Sequence, residues 1–236
     1  MTYQTLFNIE LEEGPPSFFS DLDVIHADTQ FKLIAPRYRA ISSQIFRGDL
    51  QTCRSNFYIL GGITDAMYHY SPTYINEESI DVDLFYCGNE CDANFKQFMK
   101  VNKHLLLEGV TEPRTYGGNT FKCWTFFDEE NIIKKFQLIL LLRPNTISAL
   151  SGQPNPFEDY EVEYDSRTTI RELLENFDYE HVKPHYDVAT NKLYITRRQK
   201  MLIHKKKLMK TEYGKKYNSE YRLSKWKDRG YTPLYS

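Results

Sequence analysis

Cysteine is scarce in this chain, four residues in 236. That is too few for a disulfide framework at this length. No C-x-x-C pair appears among Cys53, Cys87, Cys91 and Cys123, so a zinc site is not expected and buried free thiols in a reducing cytoplasm are. Long apolar runs are also missing. No stretch approaches the ~20 residues that a membrane span needs. The opening MTYQTLFNIELEEGPP has neither the basic start nor the apolar centre of a signal peptide, and no membrane partner is expected. G-x-G-x-x-G and G-x-x-x-x-G-K-[ST] are absent, which removes dinucleotide-fold and P-loop readings. Without G-x-S-x-G there is no support for a serine hydrolase. No repeat of solenoid period and no low-complexity linker occurs.

Acidic residues are nearly missing from one region. Residues 192–230 hold fourteen Lys/Arg against three acids, a net +11 on a body of −13, although the whole chain carries only −2. A basic end on an acidic body suits a polyanion such as RNA, with Lys205, Lys206 and Lys207 as candidate contacts, and equally suits a solvated helix that balances the body. Tyr213, Tyr217, Tyr221 and Trp226 interleave with these cations, as in surfaces that stack bases, at a spacing that also fits a helix packed on the body.

What is present in quantity is apolar and aromatic: 41% hydrophobic residues, with 18 Tyr and 15 Phe. A packed core is therefore available. Residues 1–28 read as an N-terminal arm, 29–196 as the core and 197–236 as a basic helical C-terminal segment. Phe31, Ile34, Tyr38, Ile41 and Ile45 recur at helical spacing over 29–47. The run 56–60 (NFYIL) is a buried strand that stops at Gly61-Gly62, a helix begins near Thr64, and 79–86 (SIDVDLFY) is a second strand. A helix is expected over 92–107 with Asp92 as N-cap, strands over 120–126 and 135–142, and a short helix over 168–174 capped by Thr168 or Thr169. Strands are expected over 176–185 and 192–196, then helix to about Lys210 and a last helix over 220–227 stopped by Gly230. The order predicts an α+β fold, a mixed sheet flanked by helices.

The chemistry is concentrated in I-D-V-D-L. Asp81 and Asp83, two apart on a strand, project from one face. Like charges side by side raise each other's pKa, and a divalent cation with hard oxygen preference relieves this. A solvated sheet face is the alternative. The glycines after the preceding strand let backbone approach a phosphate, with amides of the following helix start facing the anion. Asp178, or Glu180 two residues on, is a candidate third acid on a strand beside the pair. His181 and His185 flank that strand and suit structural hydrogen bonding better than catalysis.

Y-I-L-G-G followed by I-D-V-D-L-F resembles the DNA polymerase β-type nucleotidyltransferase superfamily. G-G-I-T-D is similar to the corresponding turn of tRNA CCA-adding enzymes. N-F-D-Y-E-H-V-K-P-H-Y-D and R-L-S-K-W-K-D-R-G-Y resemble segments of nucleotidyltransferase-like proteins of large tailed bacteriophages. The resemblance implies a nucleotidyltransferase-like fold and transfer of a nucleoside monophosphate from an NTP to an acceptor hydroxyl, on an RNA 3′ end or a protein. It also implies Mg²⁺ or Mn²⁺ on Asp81, Asp83 and Asp178, with the triphosphate at Gly61, Gly62 and Thr64. The chain departs from the pattern in two ways. Its spacer of 18 residues (63–80) is longer than the roughly one dozen usual for such a motif, which implies an insertion over Tyr70–Glu78. Asp65 also stands one place earlier than the acid of the CCA-type turn. A catalytically silent, binding or inhibitory nucleotidyltransferase-fold protein is the alternative.

Overall fold

The computed structural model describes residues 9–10, 34–69, 82–109, 114–116, 119–129, 133–144, 164–165, 168–217 and 220–234. Phe31, the region 70–80 and Asp81 lie outside them. Twelve strands are described: β1 (Ile9–Glu10), β2 (Phe57–Leu60), β3 (Val82–Tyr86), β4 (Leu106–Gly109), β5 (Arg114–Tyr116), β6 (Asn119–Phe127), β7 (Lys135–Pro144), β8 (Tyr164–Asp165), β9 (His185–Asp187), β10 (Lys192–Tyr194), β11 (Lys207–Leu208) and β12 (Thr232–Pro233). The helices are α1 (34–45), α2 (Ile63–His69), α3 (Ala93–Val101), α4 (Ile170–Glu175), α5 (Arg197–His204), α6 (Glu212–Lys216) and α7 (Glu220–Asp228). The fold is α+β, as the alternation of elements predicts.

Ten strands form one mixed sheet in the order β1-β10-β9-β2-β3-β7-β6-β4, with β5 beside β6 and β8 beside β7. β3 runs parallel to β7 and antiparallel to β2. Alternation along the strands sorts the two faces. On one, Phe57, Ile59, Val82, Leu84, Tyr86, Phe136 and Leu138 are at most 3% exposed. They pack with Ile34, Tyr38, Ile41 and Ile45 of α1 and with Phe95 and Phe98 of α3 in one cluster. The Phe98 ring centroid lies 5.0–6.3 Å from those of Phe46, Phe57, Phe126 and Phe136. Aromatic rings so arranged each add about 0.5–1.5 kcal/mol beyond their buried area, so these Phe residues close this face.

The opposite face carries Leu60, Asp83, Phe85, Gln137, Ile139, Leu141, Phe121 and Cys123, as the cross-strand register requires. α4 covers one part of it, with Leu173 packed on Leu60 and Leu141. Thr169 caps α4 through a reciprocal capping box with Glu172.

The sequence reading differs from the structure in three places. Helix over 92–107 ends at Val101, where Lys103–Leu105 tightens to a 3₁₀ turn and the chain enters edge strand β4. Asp92 stands at the N-cap but spends its carboxylate on the Asn89 amide and the Tyr86 hydroxyl, each at 2.9 Å. Residues 176–185 are not a strand. Tyr179 makes an isolated bridge to Lys210, Glu180–Val182 is a 3₁₀ turn, and β9 begins only at His185. Tyr179 and Val182, three apart, both turn into a second cluster with Leu208, Trp226 and Tyr231, and an extended chain could not bury both. Finally, the C-terminal segment is not helical to Lys210. Lys206 takes φ +50° after α5 and the chain reverses into β11, which pairs in parallel with β12.

Candidate functional site

β3 delivers Asp83 between Leu60 of β2 and Gln137 of β7, its register partners on either side. Gly61 follows β2 at φ +95°, a left-handed conformation that side chains resist. A Cβ there would stand 2.9 Å from Asp83 Oδ2. The glycine is thus required twice, for the turn and for the carboxylate beside it. Its N–H donates to the Val182 carbonyl at 3.2 Å, so this amide is committed to the fold rather than to an anion. Gly62 is approached by α7: a Cβ would meet Arg229 Nη1 at 3.3 Å and the Trp226 ring at 3.6 Å.

A cleft of about 330 Å³ opens over this corner. Gly61, Gly62, Asp83 and Asp178 all border it, so the motif glycines, the described half of the Asp pair and the candidate third acid converge. Its floor is the rest of the second sheet face: Phe85, Gln137, Ile139, Leu141, Phe121 and Cys123. Its far wall is the C-terminal segment, with Tyr213 and Tyr217 from the α6 region and Arg222, Lys225 and Trp226 from α7.

Asp178 is not on a strand beside Asp83, because 176–184 is a bend and turn. Its carboxylate is held by Arg222 through Nε and, at 3.0 Å, through Nη2. Its carbonyl accepts the Thr211 amide at 3.0 Å. A Cβ on Gly214 of α6 would stand only 2.0 Å from that carbonyl oxygen, so backbone meets backbone there. Glu180 pairs with Lys183 at 2.8 Å and does not border the cleft. The strand position beside Asp83 that an acid would need is filled by the neutral amide of Gln137.

Thr64, expected at the triphosphate, is fully buried, and its hydroxyl pairs with Tyr38 at 2.5 Å. It turns inward because the first turn of α2 packs on α1. Asp65, the acid of G-G-I-T-D, is also buried. It accepts the Tyr231 hydroxyl at 2.6 Å, with His69 at 3.6 Å and Arg229 at 4.0 Å, and so anchors the C-terminal segment. Burial depresses the pKa of His69, whose Nε2–H donates to the Ile203 carbonyl at 2.9 Å. His181 is completely buried against Trp226 and Tyr231, with ring centroids at 4.3 and 4.5 Å. Burial first, then Arg222 and Arg229, lowers its pKa to about 3, so it is neutral at pH 7. His185 stacks on Tyr194 at 5.1 Å.

Lys206 Nζ donates to the Arg229 carbonyl at 2.7 Å and Lys207 Nζ to Thr232 Oγ1 at 3.0 Å. Two of the three lysines suggested for RNA therefore hold residues 229–232 against the turn that follows α5, and Lys205 is exposed. Cys53 is buried as expected, whereas Cys91 is exposed and Cys87 and Cys123 are half-buried; none forms a disulfide.

Asp83, a hard oxygen donor at the cleft, suits a divalent cation. Asp178 does not while Arg222 neutralises it. Among the described residues no three His, Cys, Asp or Glu side chains gather as metal ligands, and no described helix is long and apolar enough to cross a membrane. Sequence reasoning missed Gln137, Arg222, Lys225 and Trp226 as cleft residues. The last three were visible as R-L-S-K-W, with spacings of three and four that share a helix face.

No protein-family model matches the chain, and no curated protein matches it. Among solved structures it is similar to the apo form II of a CCA-adding enzyme, with a TM-score of 0.45 and 9% identity over 85% of this chain and 41% of that one. The chain thus spans about two fifths of that enzyme's length, and the site is read from its own geometry.

Proposed function

We propose that the chain is a nucleotidyltransferase that moves a nucleoside monophosphate from an NTP to an acceptor hydroxyl. The observation that carries this reading is the Gly61–Asp83 contact. A left-handed glycine is held where any side chain would strike a strand carboxylate, at the edge of a cleft whose far wall bears Arg222 and Lys225. Cationic side chains that face a carboxylate across a cleft suit a polyanion whose charge is neutralised between them. In the reaction the acceptor oxygen bonds to the α-phosphorus, the α–β bridging P–O bond breaks, and pyrophosphate leaves with that electron pair while the hydroxyl proton passes to solvent. Asp81 and Asp83 would hold Mg²⁺ or Mn²⁺, which supplies charge neutralisation at the phosphates. The chain's own work is positioning: the cations of α7 face the phosphates, and the floor beyond Asp83 offers apolar surface to the base and sugar.

A specific pair of observations supports the second reading, a silent nucleotide-binding protein such as a phage-encoded accessory or inhibitor would be. Gln137 occupies the strand position beside Asp83, and Asp178 is neutralised by Arg222.

The deciding assay incubates the protein with each labelled NTP, Mg²⁺ or Mn²⁺, and total cellular RNA and protein, beside an Asp81→Asn/Asp83→Asn variant. Label that moves with the native chain and not with the variant establishes transfer, and the labelled species names the acceptor. NTP binding without any label movement leaves the silent reading standing and overturns the first.

A further inference from the structure

The C-terminal helix enters the cleft with a charged edge that the motif-based reading leaves unassigned. Arg222 and Lys225, three apart on α7, face the cavity, and Trp226 between them and Arg229 closes it over Gly62. The Gly61 amide, which would otherwise be the natural phosphate donor, is already given to the Val182 carbonyl. An anion brought beside Asp83 therefore finds its positive charge on α7.

Arg222 already has an anion. Its Nε and Nη2 hold both oxygens of Asp178, the side-on geometry that guanidinium also offers to phosphate. The two partners differ in freedom. The Asp178 backbone is pinned by the Thr211 amide and by Gly214, and its side chain is 12% exposed, whereas that of Arg222 is 32% exposed at the cavity. A carboxylate on a pinned backbone thus faces a longer, more exposed side chain.

We propose that Arg222 and Lys225 of α7 are the polyphosphate-binding residues of this cleft, and that Asp178 occupies Arg222 in place of an anion until a polyphosphate displaces it. This rests on the nucleotide reading above. When the exchange occurs, the Asp178 carboxylate loses its guanidinium partner at the border of the cleft that Asp83 also lines, so the third acid becomes available only once the substrate's phosphates are bound.

The test measures binding of inorganic tripolyphosphate and of ATP by calorimetry to the native chain, Asp178→Asn, Arg222→Gln and Lys225→Gln, with thermal unfolding to confirm that each variant folds. The Arg222 Nε–H resonance is followed by NMR and assigned by its loss in Arg222→Gln. Removing the competing charge in Asp178→Asn is expected to tighten both ligands about tenfold, the equivalent of one charge-assisted hydrogen bond. Arg222→Gln and Lys225→Gln are expected to weaken both by a similar factor, and the Arg222 Nε–H signal should shift on adding tripolyphosphate to the native chain. Equal or weaker binding by Asp178→Asn overturns the displacement, as does an Nε–H signal that stays put while ligand binds. Unchanged affinity in Arg222→Gln and Lys225→Gln removes α7 as the binding element. If ATP binds the native chain under any of these failures, the nucleotide reading survives without this inference; if neither ligand binds any variant, both fall.

Discussion

At the scale of single residues, Gly61 and His181 mark opposite sides of the same loop contact and can be tested separately. Gly61→Ala puts a side chain at φ +95°, with its Cβ 2.9 Å from Asp83 Oδ2. The backbone cost is about 1–2 kcal/mol, and the displaced carboxylate should abolish transfer. A urea unfolding curve and the label assay read the two effects. His181 is buried neutral, with its pKa lowered from 6.5 to about 3 and, among the described residues, no hydrogen-bond partner for either ring nitrogen. The unfolded chain binds the extra proton first as pH falls below the unfolded value. The stability this site contributes is therefore present above pH 6.5 and lost as pH falls toward 3, with a slope of up to about 1.4 kcal/mol per pH unit. His181→Phe should flatten that part of the profile of unfolding midpoint against pH. An unchanged profile would mean that protonation elsewhere governs acid unfolding.

At the scale of elements, the capping box on α4 gives a local forecast. Thr169→Ala removes the acceptor for the Glu172 amide and should cost about 1 kcal/mol, measured by thermal unfolding, without altering nucleotide binding. This cap was legible in the sequence because T-x-x-E encodes it locally. So were α1, β2 and β3, whose buried positions follow helical and strand periods. The segment 176–185 was not. Phe177, Tyr179 and Val182 are apolar enough to pass for a strand, and only their burial against Leu208, Trp226 and Tyr231, residues that arrive later in the chain, bends them into a turn. The candidate site divides the same way. Gly61, Gly62 and Asp83 could be found from one short motif, whereas Thr64 turned inward to Tyr38. The cations of α7 could be placed in the cleft only by knowing that the basic segment folds back, since charge alone reads equally as a surface for RNA.

At the scale of the whole molecule, the basic segment and the acidic body are joined by specific contacts rather than by general attraction. Tyr231 donates to buried Asp65, Arg222 holds the Asp178 carboxylate, and His69 reaches the Ile203 carbonyl. Tyr231→Phe should cost about 1–3 kcal/mol by leaving Asp65 short of a donor and should weaken NTP binding through α7. Denaturant unfolding and calorimetry check this. Should the exposed face of the segment also hold RNA, log K must fall steeply with log salt; a slope near zero would leave the cations of this segment to the fold and the cleft.

The floor and the roof of the cleft come from distant parts of the chain, the floor from 61–141 and the roof from 213–226. During synthesis the motif glycines and the floor strands β2, β3, β6 and β7 leave the ribosome well before α7 is made. Nucleotide affinity should therefore be absent from a growing chain and appear late, when the roof closes. A protease cut between α5 and α7 would uncouple the two again, leaving a folded sheet that cannot grip its ligand.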